Sequence, residues 1–307
     1  MIHHVNIKPY QQVVTKHFPG TKLTSMEVLR GGVSADTHRL DLMDRDGNER
    51  SVVIREHGKN HSGHPAEMEH DILKSLYVSG VSVPRPLAFD TSCTVLSYPY
   101  VIIAFIGGST RIPEGEKSHY IDAMAATLAS IHQANVPTLP DVSLRTEPLP
   151  ELLDYLPKGE EWEGLSQYLS ARKVKQFSGE VTLLHGDFWP ENILWQHGAI
   201  AAVLDWEDAA VGDPLSDVAI ARVELRYLFG APAMTRFSAA YAKYRAIDVE
   251  RLALWQIYVA AAAQKYMNSW GLAPASESHK RQQALLSIKE AGRLLLALDA
   301  MPRNVST

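Results

Sequence analysis

The chain of 307 residues is 46 % hydrophobic and 21 % charged, which excludes a disordered protein and suits about two globular domains. Its formal net charge of −5 excludes the broadly basic face of a nucleic-acid binder, and its single cysteine, Cys93, excludes an internal disulfide. That cysteine fits a reducing compartment, residues 1–6 lack the basic-then-apolar pattern of an export signal, and the most apolar stretch, 252–263, is too short to span a bilayer; the expectation is a cytoplasmic protein without membrane contact.

In chain order, the first readable element is a hairpin. Residues 29–34, Leu-Arg-Gly-Gly-Val-Ser, precede an alternation of Thr37, Arg39 and Asp41 against His38, Leu40 and Leu42, the period of a half-buried strand. Gly31 and Gly32, with Ser34 beside them, allow backbone amides to approach a phosphate. An ordinary turn reads equally well, because no full glycine fingerprint is present. Residues 51–55, Ser-Val-Val-Ile-Arg, read as the next strand, ending in Arg55. His61 and His64 read as a mobile loop rather than a metal pair, since no further ligand stands at fixed spacing. Met68, Ile72, Leu73 and Leu76 recur at helical intervals in a segment that carries Glu67 and Glu69. Residues 98–106 read as a buried strand running into Gly107-Gly108, which marks the boundary between domains 1–106 and 107–307. The first domain holds 11 basic and 11 acidic side chains, so the whole charge deficit lies in the second.

Past the boundary the pattern turns helical. Ile121, Met124, Ala125, Leu128 and Ile131 face one way over 120–134, and His132 near the end reads as structural. Glu147, Glu151, Asp154, Glu160, Glu161 and Glu163 crowd one segment, which is compatible with a cationic acceptor but reads first as a solvated helix face. Three short apolar runs follow, at 181–184, 192–195 and 201–204, and read as strands around a turn. Beside them stand Asp187, Asn192 five positions on, and Asp205. Phosphoryl transfer needs a carboxylate to orient the attacking hydroxyl and accept its proton, and hard oxygen donors for a divalent metal. An Asp, an Asn and a second Asp at these offsets are the layout of a kinase catalytic loop. Each group alone could be a turn former or a strand end; all three beside apolar runs are harder to read that way. His185 reads as a brace for the loop.

Leu215, Val218, Ala219, Ala221, Arg222 and Leu225 mark a helix over 215–229. Asp213 reads as the holder of a Gly-Asp-Pro turn, and Asp217 as a brace for exposed amides or for the catalytic loop. Trp189, two residues after Asp187, reads evenly as an acceptor-pocket wall or as packing. Glu224 and Arg226 are acceptor candidates that nothing raises above helix-surface charges.

His185-Gly186-Asp187, Asn192-Ile193-Leu194, Leu204-Asp205-Trp206-Glu207, Gly212-Asp213-Pro214 and Asp217-Val218-Ala219 follow the order of motifs in the aminoglycoside phosphotransferase family of small-molecule kinases. The sequence resembles that family over nearly its whole length. The resemblance implies an α+β, protein-kinase-like bilobal fold, with a small N-lobe of antiparallel sheet plus one helix over 1–106. A larger, mainly helical C-lobe over 107–307 would carry catalysis and acceptor binding. It implies ATP, with GTP as the alternative, and Mg2+ as cofactors. By family position Asp187 is the base, and Asn192 and Asp205 hold the metal. Gly31, Gly32 and Ser34 cover the phosphates, Arg55 held by Glu69 (Glu67 competing) grips them, and backbone from Ala104 to Ile106 meets the adenine. Arg55 departs from the lysine usual in protein kinases, but keeps the charge and offers a fork of donors. Trp189, Glu207 and Glu224 are the acceptor-site candidates. The implied partner is a small-molecule hydroxyl acceptor, either an aminoglycoside-type antibiotic or a metabolite such as choline, homoserine or a sugar, with no nucleic acid, membrane or obligatory protein partner. A catalytically silent nucleotide-binding regulator is the remaining alternative, and the joint presence of Asp187, Asn192 and Asp205 argues against it.

Overall fold

The structure, a computed structural model, describes residues 7–29, 35–59, 61–149, 151–172 and 176–300, and of Glu114 the backbone only. In chain order its elements begin α1 (Ile7–His17), β1 (Lys22–Val28), β2 (Asp36–Met43), β3 (Glu49–Glu56), α2 (Ala66–Val78), β4 (Pro86–Asp90) and β5 (Tyr100–Ala104). There follow α3 (Lys117–Ile131), β6 (Leu144–Arg145), α4 (Glu151–Tyr155), α5 (Glu160–Ala171), β7 (Thr182–Leu184), β8 (Ile193–Gln196), β9 (Ala199–Val203) and β10 (Ala210–Gly212). Helices α6 (Leu215–Phe229), α7 (Ala231–Tyr241), α8 (Val249–Tyr266) and α9 (Pro274–Ala300) complete the series. The class is α+β, with an antiparallel sheet in the N-terminal part and helices in the C-terminal part.

The described residues group into two compact units. The first takes in residues up to 109 with 135–141 and 193–208, and the second takes in the rest. A single break at 106/107 therefore does not describe the chain. The β8–β9 hairpin groups with the first unit because its backbone finds partners there: Val203 donates to the Ser82 carbonyl at 2.8 Å, and Ser109 and Trp195 exchange hydrogen bonds.

In the first unit the strands run in the order β1-β2-β3-β5-β4, every neighbouring pair antiparallel. β2 buries His38, Leu40 and Leu42, as the alternation predicts. Tyr10, Val13 and Val14 of α1 join Leu40, Leu42, Val52, Ile54 and Ile102 in one core cluster. Each fully buried aliphatic of this kind contributes roughly 1.5–3 kcal/mol. α2 packs against β4 and β5 and meets Arg55, so β3 buries Val52, Val53 and Ile54 in succession. The unit thus holds two helices where one was expected; α1 carries only three buried apolar side chains, too short a pattern to stand out.

In the second unit Leu254, Ile257, Ala260 and Ala261 of α8 pack with Ala284, Ile288, Ala291 and Leu295 of α9 and with Trp162 and Leu169 of α5. The acidic segment folds partly as α4 and α5, with Leu152 and Trp162 inward and Glu160, Glu161 and Glu163 exposed, the solvated face its composition suggests. A small sheet places β10 between β6 and β7. A Cβ on Gly212 would lie 1.9 Å from the Arg145 carbonyl oxygen, so only glycine lets β6 and β10 approach this closely. Among the described residues no helix is long and apolar enough to cross a membrane.

Candidate active site

β7 is buried throughout, and the chain leaves it as His185-Gly186-Asp187. Gly186 has φ +88°, a conformation that penalises any residue with a Cβ. The turn aims two amides at one carboxylate: Asp217 accepts from His185 N–H at 2.7 Å and from Gly186 N–H at 2.9 Å. Asp217 lies fully buried in the first turn of α6 and also accepts from His132 Nε2 at 3.2 Å, while His132 Nδ1 pairs with Tyr241 Oη at 2.7 Å. Burial alone would raise the Asp217 pKa. The hydrogen bond and charge of His132, with help from His185, outweigh it and hold the carboxyl below its ordinary value. His185 Nδ1 accepts from the Asp187 N–H at 3.1 Å, so this ring braces the loop through its unprotonated nitrogen.

Residues 190–192 form a single 3₁₀ turn that returns Asn192 to Asp187. Asn192 Nδ2 donates to the Asp187 carbonyl at 2.9 Å and to Asp187 Oδ2 at 3.0 Å. The amide orientation follows, with Oδ1 the atom not engaged by Asp187. Asp213 holds its turn by accepting from Leu215 N–H at 3.0 Å, and ties it to α8 through Arg251 at 2.8 Å and Trp255 Nε1 at 2.7 Å.

The first unit carries a second cluster, centred on Arg55. Its Nη2 lies 2.8 Å from Asp205 and 3.1 Å from Glu207, and its Nε lies 3.1 Å from Glu69. Glu69 is 2 % exposed whereas Glu67 is exposed, so α2 turns Glu69 inward. The second Glu69 oxygen accepts from His57 Nε2 at 2.7 Å. His57 stacks on His61 with centroids 3.8 Å apart, and His61 Nε2 donates to the His64 carbonyl at 2.8 Å. Segment 61–64 is therefore tied down by hydrogen bonds and ring stacking, not the mobile loop its composition suggests. Burial would lower the Arg55 pKa; the charges of Glu69, Asp205 and Glu207 outweigh it and raise it. Burial would likewise raise Glu69, and Arg55 with His57 pulls it below its ordinary value. Three carboxylates against one guanidinium leave two negative charges in excess when the histidines are neutral. Asp205 has φ +62°, one of three non-glycine residues in that region among those described, a conformation costing about 1–3 kcal/mol.

The structure thus brings Asp187 to Asn192, and Arg55 to Glu69, Asp205 and Glu207. Gly31, Gly32 and Ser34 lie outside the described residues. The Ala104 amide donates to the Arg85 carbonyl at 2.8 Å and that of Phe105 to Ser51 at 3.3 Å, so neither N–H is open to an adenine; Ile106 is half-buried. The acceptor-site candidates all have partners within the chain. Glu207 pairs with Arg55, as Asp205 does. Glu224 and Arg226 are buried rather than surface charges, pairing with Lys280 at 2.7 Å and Glu290 at 2.6 Å, because α7, α8 and α9 all pack on α6 and exclude water. Trp189 faces the Lys280 ammonium. Sequence reasoning missed His57, which stands two residues after Arg55 and one past the end of β3. It also missed Lys280, for which no local signal exists.

Asp205 and the Asn192 carbonyl are hard oxygen donors. Among the described residues no group of three or more His, Cys, Asp or Glu could hold a metal ion. Each is the kind of donor that suits Mg2+, which takes one or two protein ligands and fills its shell with phosphate and water.

A family model described as the phosphotransferase enzyme family matches residues 25–255. Acyl-CoA dehydrogenase family member 11 of Pongo abelii is 26 % identical over 239 residues, covering 64 % of this chain but only 29 % of that protein. The chain therefore spans less than a third of the relative it matches. Among solved structures, a Ralstonia eutropha protein provisionally described as an aminoglycoside phosphotransferase aligns with a TM-score of 0.67 at 17 % identity, over 94 % of this chain and 98 % of that one. An amicoumacin kinase in complex with AMP-PNP, Ca2+ and Ami aligns with a TM-score of 0.58 at 15 % identity, over 91 % and 93 % of the two chains. At such identities the likeness establishes a shared fold alone.

Proposed function

The chain belongs to the phosphotransferase enzyme family, and we propose that it moves the γ-phosphate of ATP to a hydroxyl of a small molecule. The observation that carries this reading is the Asp187 loop, held from below by Asp217 and closed by the Asn192 amide. A carboxylate positioned in this way can orient an acceptor hydroxyl and take its proton, a contribution of about 10²–10⁴-fold in rate. Asn192 and Asp205 would be the protein donors to Mg2+, which would neutralise charge on the phosphates. Arg55, oriented by Glu69, is the cation that grips them. The amicoumacin kinase, which holds a nucleotide analogue and a divalent cation on the same fold, supports both cofactor assignments.

The acceptor is an alcohol of an antibiotic or of a metabolite. The dehydrogenase name of the curated relatives attaches to a much longer protein, and no dehydrogenase activity is proposed for this chain. The test is consumption of ATP, and of GTP in parallel, over a panel of aminoglycosides, macrolides, amino alcohols and sugars, with Asp187→Asn as the blank. One acceptor class is expected to accelerate nucleotide use, and Asp187→Ala to slow it by about 10²–10⁴-fold with nucleotide affinity retained. Equal turnover by Asp187→Ala and wild type would remove Asp187 from the chemistry.

A further inference from the structure

Lys280 of α9 is only 7 % exposed, rare burial for a lysine. Its Nζ lies 2.7 Å from Glu224 Oε2 on α6. It also lies over three aromatic rings, at 4.9 Å from the centroids of Tyr227 and Trp270 and 5.1 Å from that of Trp189. A ring face within about 6 Å attracts a cation, and more strongly once water is excluded. Three rings and a carboxylate around one ammonium are the chemistry that recognises an alkylated ammonium ligand. Here the cage already has an occupant, the chain's own side chain.

Its location gives the cage a consequence. Trp189 stands two residues after Asp187, and the 3₁₀ turn that sets Asn192 packs on α6, the helix carrying Glu224 and Tyr227. Burial raises the Glu224 pKa, Lys280 opposes that, and Glu191 of the same 3₁₀ turn adds to it, so the turn and the cage also interact electrostatically.

We propose that these residues form a cation cage in the acceptor site, filled by Lys280, which closes the subsite beside Asp187 to ammonium groups and selects hydroxyl acceptors that are neutral or anionic at that place. The selectivity rests on the phosphotransfer reading; the cage does not. A second ammonium entering the cage would meet a like charge and find the Glu224 carboxylate already paired.

Tetramethylammonium is the probe, with binding measured by calorimetry on the full chain. Lys280→Ala empties the cage and is expected to bind it at least about tenfold more tightly than wild type. Lys280→Ala strands a buried carboxylate. Lys280→Ala/Glu224→Gln therefore serves as the companion, with the rings intact and no stranded charge, and is expected to keep part of the gain. Wild type binding tetramethylammonium as tightly as the folded variants overturns the proposal, as does a folded variant that gains no affinity. This measurement needs no turnover. An empty acceptor screen beside a positive titration counts against phosphotransfer and leaves the cage standing, whereas a wild type that phosphorylates aminoglycosides in preference to neutral alcohols overturns the selectivity.

Discussion

The fork of Arg55 is used: Nη2 serves Asp205 and Glu207, while Nε faces Glu69. A single ammonium cannot present separate nitrogens along those two directions. Removing the charge strands three carboxylates, one of them fully buried. Arg55→Met should therefore destabilise the fold by about 3–5 kcal/mol, with Arg55→Lys in between. The check is the urea midpoint at constant slope; an Arg55→Met protein as stable as wild type would mean that water reaches this cluster. The sequence marks Arg55 and the helix bearing Glu69, but only burial separates Glu69 from Glu67. His57 lies one residue past β3, where the strand's period no longer signals a shared face with Arg55.

β2 is an interior strand of the first unit's sheet, and its alternation is legible because one face is buried and the other is not. The same burial makes His38 a liability. Its pKa is lowered, chiefly by burial and in part restored by Asp36, so the folded state favours the neutral ring. As pH falls below about 6.5, the unfolded chain takes up this proton first, and stability declines until the folded histidine itself titrates. Stability from this group is complete above that range. His38→Gln should flatten the fall in melting temperature between pH 7 and pH 5, measured as the difference between the two proteins; superimposable profiles would clear His38. α6 poses the opposite problem. Three helices cover it, so Asp217, Glu224 and Arg226 are buried at intervals that read as an ordinary amphipathic face, and nothing in their spacing signals that each needs a partner.

At the scale of the molecule, residues 193–208 belong with the first unit although they follow the Asp187 loop in sequence, so Asn192 and Asp205 are carried by different units. A ligand that binds only the native state stabilises it by mass action, about 2.7 kcal/mol at a hundred times its dissociation constant. Mg-ATP should raise the melting temperature of the wild type by several degrees, EDTA should reduce the rise, and Asp205→Ala should lose most of it. A wild type indifferent to millimolar Mg-ATP would sink the nucleotide assignment.

The sequence by itself determined what short stretches of chain can encode. Asp187 and Asn192 keep a fixed separation because one turn joins them, and strands and helices declare themselves by period. Only the tertiary structure decided what the charged groups do: that Glu207 serves Arg55, that Glu224 and Trp189 enclose Lys280, and that His132 reaches Asp217 beneath the loop. A buried charge takes its role from whichever opposite charge or dipole packing brings within hydrogen-bond reach. That partner comes from an element remote in the chain, so no local spacing can name it.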